Sequence, residues 1–204
     1  MSEEPNAHDA APVRRRRIAP LIALPIAVVM LLFVILLATR DPGTERLAKS
    51  PLVGKPAPAV EGVTTTNDQF TLERVRGEWV VVNFFGSWCT PCIQEHPELV
   101  SFENAHRGAG DATVVSVAFA DSPTAVRQFF EKHGGSWPVL AEKTDGIAVS
   151  YGVIKVPETY LVSPTGLVVA KLIGGVTQDR LDSLIAKYSA PAPTAPAAST
   201  PSTR

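Results

Sequence analysis

Three hydrophobic patterns divide the chain. Ile18 to Ala38 is apolar and carries no charge. As a helix rising 1.5 Å per residue, about 21 residues reach roughly 31 Å, the hydrocarbon thickness of a bilayer. Pro20 and Pro25 fall in its first turns, where a spanning helix tolerates them. From Leu52 to Tyr188, short apolar runs alternate with amphipathic stretches. From Ser189 the chain is almost wholly Ala, Pro, Ser and Thr. Such a tail buries too little apolar surface to order itself and is expected to be disordered.

The middle region predicts its elements in turn. Ala59–Val63 and Gln69–Leu72 read as a hairpin joined through Asn67-Asp68. Trp79–Phe85 is a continuous apolar run, as expected of a strand at a sheet centre. Thr90 to Arg107 has helical spacing through Leu99, Phe102 and Ala105, with an internal Pro97 that should kink it. Ala112–Ala120 is a second strand, parallel to the first because a helix joins them. Ser122-Pro123 opens a helix that Gly134-Gly135 stops after His133. Val139-Leu140 is a short extended piece, and Gly146–Tyr151 a short helix. Thr159–Ser163 and Val168–Ile173 are strands about the turn Pro164-Thr165-Gly166, and Gln178–Tyr188 is a last helix. This order predicts an α/β fold, a mixed sheet flanked by helices on both faces.

Charge sets the orientation. Arg14-Arg15-Arg16-Arg17 precede the apolar stretch, and Arg and Lys excess stays on the cytoplasmic side of a membrane. Residues 1–17 are therefore expected inside, 18–38 as an uncleaved transmembrane anchor, 39–51 as a polar stalk, 52–188 as an extracytoplasmic domain, and 189–204 as a tail. A cleaved signal peptide has a shorter apolar core and a small-residue cleavage site, which Leu36-Leu37-Ala38 fits poorly. The net charge of −1 offers no basic surface for nucleic acid.

The chemistry centres on Trp88-Cys89-Thr90-Pro91-Cys92, which holds the only two cysteines of the chain. A helix beginning near Cys89 presents unpaired N–H groups and the positive end of its dipole, which stabilise a thiolate. Cys89, at the end, is expected to be accessible and nucleophilic. Cys92, inside the first turn, is expected to be the buried resolving thiol. Pro91 suits the first turn, where its missing N–H costs nothing. Three other uses of the pair compete. A structural disulfide closing so short a ring removes little unfolded-state entropy. Zinc needs four ligands, and neither a second Cys pair nor a spaced His pair supplies them. Copper would have to recruit a distant His96, His106 or His133. Thiol–disulfide exchange fits the setting of the pair, and no cofactor or metal is expected.

With Val156-Pro157 before a later strand, the Trp-Cys-x-x-Cys motif resembles the thioredoxin superfamily. Asn83–Cys89, Glu95-His96-Pro97 and Tyr151–Val162 (with Val-Pro-Glu-Thr at 156–159) resemble its membrane-anchored TlpA/ResA/CcmG (DsbE) branch over roughly residues 52–188. The resemblance implies a thioredoxin-like fold and a supply of reducing equivalents outside the cytoplasmic membrane, often for cytochrome c maturation. It implies a disulfide-bearing protein substrate, an apocytochrome c for example, and a membrane thiol carrier as electron donor.

Residue by residue, the resemblance makes Cys89 and Cys92 the redox pair. Pro157 becomes a cis-proline lying against that pair and leaving the backbone of Val156 for an extended substrate. Glu95 and Glu158 become acids beside the pair. A nearby carboxylate disfavours a second negative charge and raises a cysteine pKa, which makes the pair a better reductant than a strong oxidant. Either acid could shuttle the proton of Cys92. Trp88 is expected to shield the pair, and His96 to be an exposed helix residue. Asn83 replaces the buried acid of thioredoxin itself. Rival functions are a disulfide-forming oxidant, a peroxide reductase and a non-enzymatic copper-delivery module. Thr90-Pro91 lacks the basic or His residue of strong oxidants. Gly86 stands where peroxidatic cysteines have a threonine upstream, and copper chaperones of this fold have three residues between the cysteines, not two.

Overall fold

The computed structural model describes residues 46–190, together with residues 24, 26, 28–33 and 35. The chain divides into two compact units, Met1–Pro42 and Gly43–Arg204. The described residues of the first unit are helical, and its apolar side chains, such as Leu24 and Phe33, are exposed. Among the described residues no helix is long and apolar enough to cross a membrane. The expected 18–38 span and the 191–204 part of the expected tail lie largely or wholly outside those residues.

The second unit is built on a six-stranded sheet of order β1-β8-β7-β4-β5-β6 and a separate hairpin β2-β3. Its strands are β1 (Arg46–Leu47), β2 (Glu61–Val63), β3 (Gln69–Thr71), β4 (Trp79–Phe85), β5 (Ala112–Ala118), β6 (Val139–Leu140), β7 (Glu158–Val162) and β8 (Val168–Ile173). The helices are α1 (Thr90–Arg107), α2 (Pro123–His133), α3 (Asp145–Tyr151) and α4 (Gln178–Ser189). A 3-10 turn, Leu72–Val75, follows the hairpin.

All seven residues of β4 are buried, as its unbroken apolar run demands. It pairs parallel with β5, through the α1 crossover, and antiparallel with β7. Successive side chains leave a strand on opposite faces. Val81 and Phe85 therefore pack with Leu99 and Phe102 of α1 and Leu181 and Leu184 of α4. Val80, Val82 and Phe84 pack on the other side with Val60, Phe70, Tyr151 and Tyr160. Ser122 and Thr177 cap α2 and α4 through their hydroxyls.

Beyond shifts of one or two residues at element ends, such as β5 stopping at Ala118 instead of Ala120, two features differ from the sequence reading. Arg46–Leu47, expected in the stalk, pair antiparallel with Ile173 and Leu172 of β8, so the ordered sheet begins ahead of Leu52. Two residues with no apolar alternation leave no strand signature, and the pairing is set by the β8 edge. The 3-10 turn after β3 is the second. Leu72 is buried beneath it, and Arg76 and Glu73 close it with a 2.7 Å ion pair.

Candidate active site

The site begins where β4 ends. Cys89 is the N-cap residue of α1, and its sulfur accepts a hydrogen bond from the backbone N–H of Cys92 at 3.3 Å. Cys89 and Cys92 are joined by a disulfide, with Cα atoms 5.2 Å apart. The helix therefore points its first free N–H groups at the sulfur of Cys89, and a thiolate formed there takes the place of a capping oxygen. Pro91 lies in the first turn. One expectation is corrected here. Cys89 is only 4 % exposed and Cys92 2 %, so neither lies open in the oxidised pair. The N-cap position turns the Cys89 sulfur inward, into the same apolar cluster as Phe85 and Leu99, and Val156 packs on that cluster.

Glu95, one turn beyond Cys92, is 3 % exposed. One carboxyl oxygen accepts from Asn83 Nδ2 at 2.9 Å, the other from the backbone N–H of Val176 at 3.0 Å. Asn83 Nδ2 also reaches Thr159 Oγ1 at 3.1 Å. Burial raises the Glu95 pKa to about 7, against the pull of the Val176 and Asn83 bonds. The acid missing from the strand at Asn83 is thus supplied from the helix and held by that same asparagine. Thr159 and Val176 complete this network. No motif points to Val176, because it contributes only a backbone N–H.

The Val156–Pro157 peptide is cis, the form that the resemblance implies. Pro157 O accepts from Gly174 N at 3.1 Å, which ties this loop to the end of β8. Glu158 begins β7 and sits opposite Phe84, on the sheet face turned away from α1. Its carboxylate pairs with Lys171 Nζ at 2.8 Å, and Lys171 lies over the Tyr160 ring. The expectation that Glu158 stands with Glu95 beside the sulfurs is thereby corrected. Strand alternation puts its side chain on the opposite face of the sheet, against a buried cation that sequence spacing could not reveal.

Trp88 is 59 % exposed, with its indole N–H donating to Ala120 O at 3.2 Å. His96 is buried, not exposed as the sequence suggests. It packs among Phe129, Phe130 and Trp137, and its Nε2 donates to Gly134 O at 2.8 Å. Burial lowers its pKa. The helical position of His96 gave no sign of this, because the covering rings come from α2 and the loop after it. Among the described residues there is no cluster of His, Cys, Asp or Glu that could hold a metal ion.

A disulfide-joined cysteine pair capping the helix after a central strand, with a buried acid one turn on and a cis-proline loop beside the same core, defines a thiol–disulfide oxidoreductase of thioredoxin fold. Comparison with known proteins agrees. The AhpC/TSA family matches residues 53–171, and the chain belongs to that family. It is 28 % identical over 137 residues to the thiol-disulfide oxidoreductase ResA of Bacillus thuringiensis, covering 67 % of this chain and 79 % of that protein. The thiol:disulfide interchange protein HelX of Rhodobacter capsulatus is 31 % identical over 142 residues, covering 66 % of this chain and 78 % of HelX. The solved thioredoxin domain of a Bacteroides vulgatus thiol-disulfide oxidoreductase superposes with a TM-score of 0.60 at 26 % identity, over 68 % of this chain and 99 % of that one. Within that family, its similarity is to thiol–disulfide oxidoreductases such as ResA and HelX.

Proposed function

We propose that this protein is a reductant of protein disulfides outside the cytoplasmic membrane, tethered by residues 18–38 and acting in cytochrome c maturation or a similar dithiol-supplying process. The observation that carries the reductant reading is Glu95. Its buried carboxyl, with a pKa of about 7, lies one turn from Cys92. Its ionised form opposes thiolates in the pair and so withholds the stabilisation that makes a dithiol strongly oxidising in its disulfide form. Thr90-Pro91 between the cysteines adds no cation to offset it.

In the proposed reaction, the Cys89 thiolate attacks one sulfur of a substrate disulfide. A mixed disulfide forms and one substrate thiolate leaves, taking a proton. Glu95 accepts the proton of Cys92, whose thiolate then attacks the Cys89 sulfur. The second substrate thiol departs and the Cys89–Cys92 disulfide closes. A membrane dithiol carrier returns two electrons and two protons, and becomes a disulfide itself. Pro157 presents the backbone of Val156 for an extended segment of substrate to pair with, as an added strand. The exposed Trp88 contacts the substrate beside its cystine. Glu158 acts through the sheet, holding the start of β7 by its pair with Lys171.

The test is a trap. Cys92→Ser in the full chain should accumulate a mixed disulfide at Cys89, and mass spectrometry of the adduct names the substrate. A reduction potential near that of a strong oxidant, about −120 mV, would reject the reductant reading.

A further inference from the structure

Trp88 stands exposed on the loop that enters Cys89, yet its position is fixed from several sides. Its indole N–H donates to Ala120 O. The ring lies so close over Gly86 that a Cβ there would come within 2.8 Å of indole atoms. Ala120 holds φ at 47°, a left-handed conformation that L side chains rarely adopt. Next to it, Asp121 spans two backbone amides. Oδ2 accepts from Ser87 N at 2.6 Å and Oδ1 from Ser122 N at 2.8 Å. Phe119 N donates to Phe85 O at 2.8 Å, so the segment after β5 runs alongside the loop from its first residue.

Burial does not explain this arrangement. Trp88, Ala120 and Ser122 are all exposed. A large aromatic side chain on the surface, a glycine with no room for a methyl group beneath it and a left-handed alanine are each locally unfavourable. Their convergence next to a reactive sulfur is the pattern of a functional constraint. What the contacts achieve is a single orientation for the indole.

We propose that Asp121 is a positioning residue for substrate docking: by holding the Ser87 amide, it fixes the Trp88 indole as a rigid apolar platform beside Cys89. The inference rests on the reading of Trp88 as a substrate contact. A platform set in advance spares the ordering of a rotamer-rich loop on binding. It takes an apolar or aromatic side chain flanking the substrate's cystine.

The test is steady-state reduction of insulin by the full-length chain, with reduced glutathione as the electron source. Asp121→Ala should raise KM for insulin about fivefold while kcat changes less than about twofold. Trp88→Ala should raise KM at least as much, and the double variant should be no worse than Trp88→Ala alone, because both remove one device. Asp121→Asn keeps an acceptor for Ser87 and should hold KM within about twofold of the parent. In nitrogen-15 spectra, the Trp88 indole resonance should move towards that of free tryptophan in Asp121→Ala and stay in place in Asp121→Asn. If Asp121→Ala leaves KM and the indole resonance unchanged while Trp88→Ala raises KM, the positioning role is overturned and the substrate contact survives. If Trp88→Ala leaves KM unchanged, the substrate contact fails and the positioning role with it. A fall in kcat at constant KM in Asp121→Ala would place Asp121 in the chemistry and overturn the proposal too.

Discussion

Glu95 stores a proton where the fold makes its charge costly. Its pKa rises in the folded protein from an ordinary 4.5 to about 7, mainly through burial. The folded state therefore binds the proton more tightly than the unfolded state between those values. Stability should fall as pH rises from about 4.5 to about 7 and level off above, by about 3 kcal/mol. Glu95→Gln should flatten that slope, which urea titrations at a series of pH values would measure, and should remove an ionisation near pH 7 from the reductase rate profile. Asn83→Asp makes a complementary test. It would set a second carboxyl within hydrogen-bond distance of Glu95, where the amide now sits at 2.9 Å. Two such acids share one proton, so one ionisation should move well above 7 and the other below it, and carboxyl-labelled NMR would resolve both. The sequence singles out Cys89 and Cys92 by their spacing, and Glu95 and Pro157 through the family resemblance. It did not expose Lys171 or Val176. Lys171 meets Glu158 only through the pairing of β7 with β8, and Val176 acts through its backbone.

At the scale of elements, β4 and α1 were legible to the residue, since a charge-free run and a capped helix each carry their own boundaries. The helix bounds also survive the internal Pro97. The end of α1 is joined to the body of α4 by a contact that no periodicity encodes. His106 Nδ1 reaches Asp111 at 2.8 Å and Nε2 reaches Asp182 of α4 at 2.9 Å. Burial works against the charged ring, but Asp182 and Asp111 outweigh it and raise the pKa. A histidine with a raised folded pKa stabilises the protein fully below its unfolded value and loses that contribution as pH rises through the folded one. His106→Ala should therefore lower the melting temperature at pH 6 and lower it less at pH 9, as scanning calorimetry would detect. Glu103 is a second hidden device. It is buried in α1 and accepts from Val114 N at 3.0 Å, filling a position along β5 that the short β6 does not reach.

Across the whole molecule, the sheet ends in two very short strands. β1 contributes two residues against β8, extended by Ala48 N to Lys171 O at 2.9 Å. β6 contributes two on the other side, where Thr65 N donates to Val139 O at 2.8 Å and bends the hairpin over it. A sheet border this abbreviated offers little template for a neighbour's backbone. The proposed pairing of an extended client with the Val156 backbone carries the risk of the same pairing between copies of the chain. Cutting Gly43–Ala48 out of the chain would bare the Ala170–Ile173 end of β8, with Val168 still bonded to Gly54 and Lys55, and should bring on self-association, visible by light scattering. The two stub strands thus act as a quarantine along the borders of the sheet.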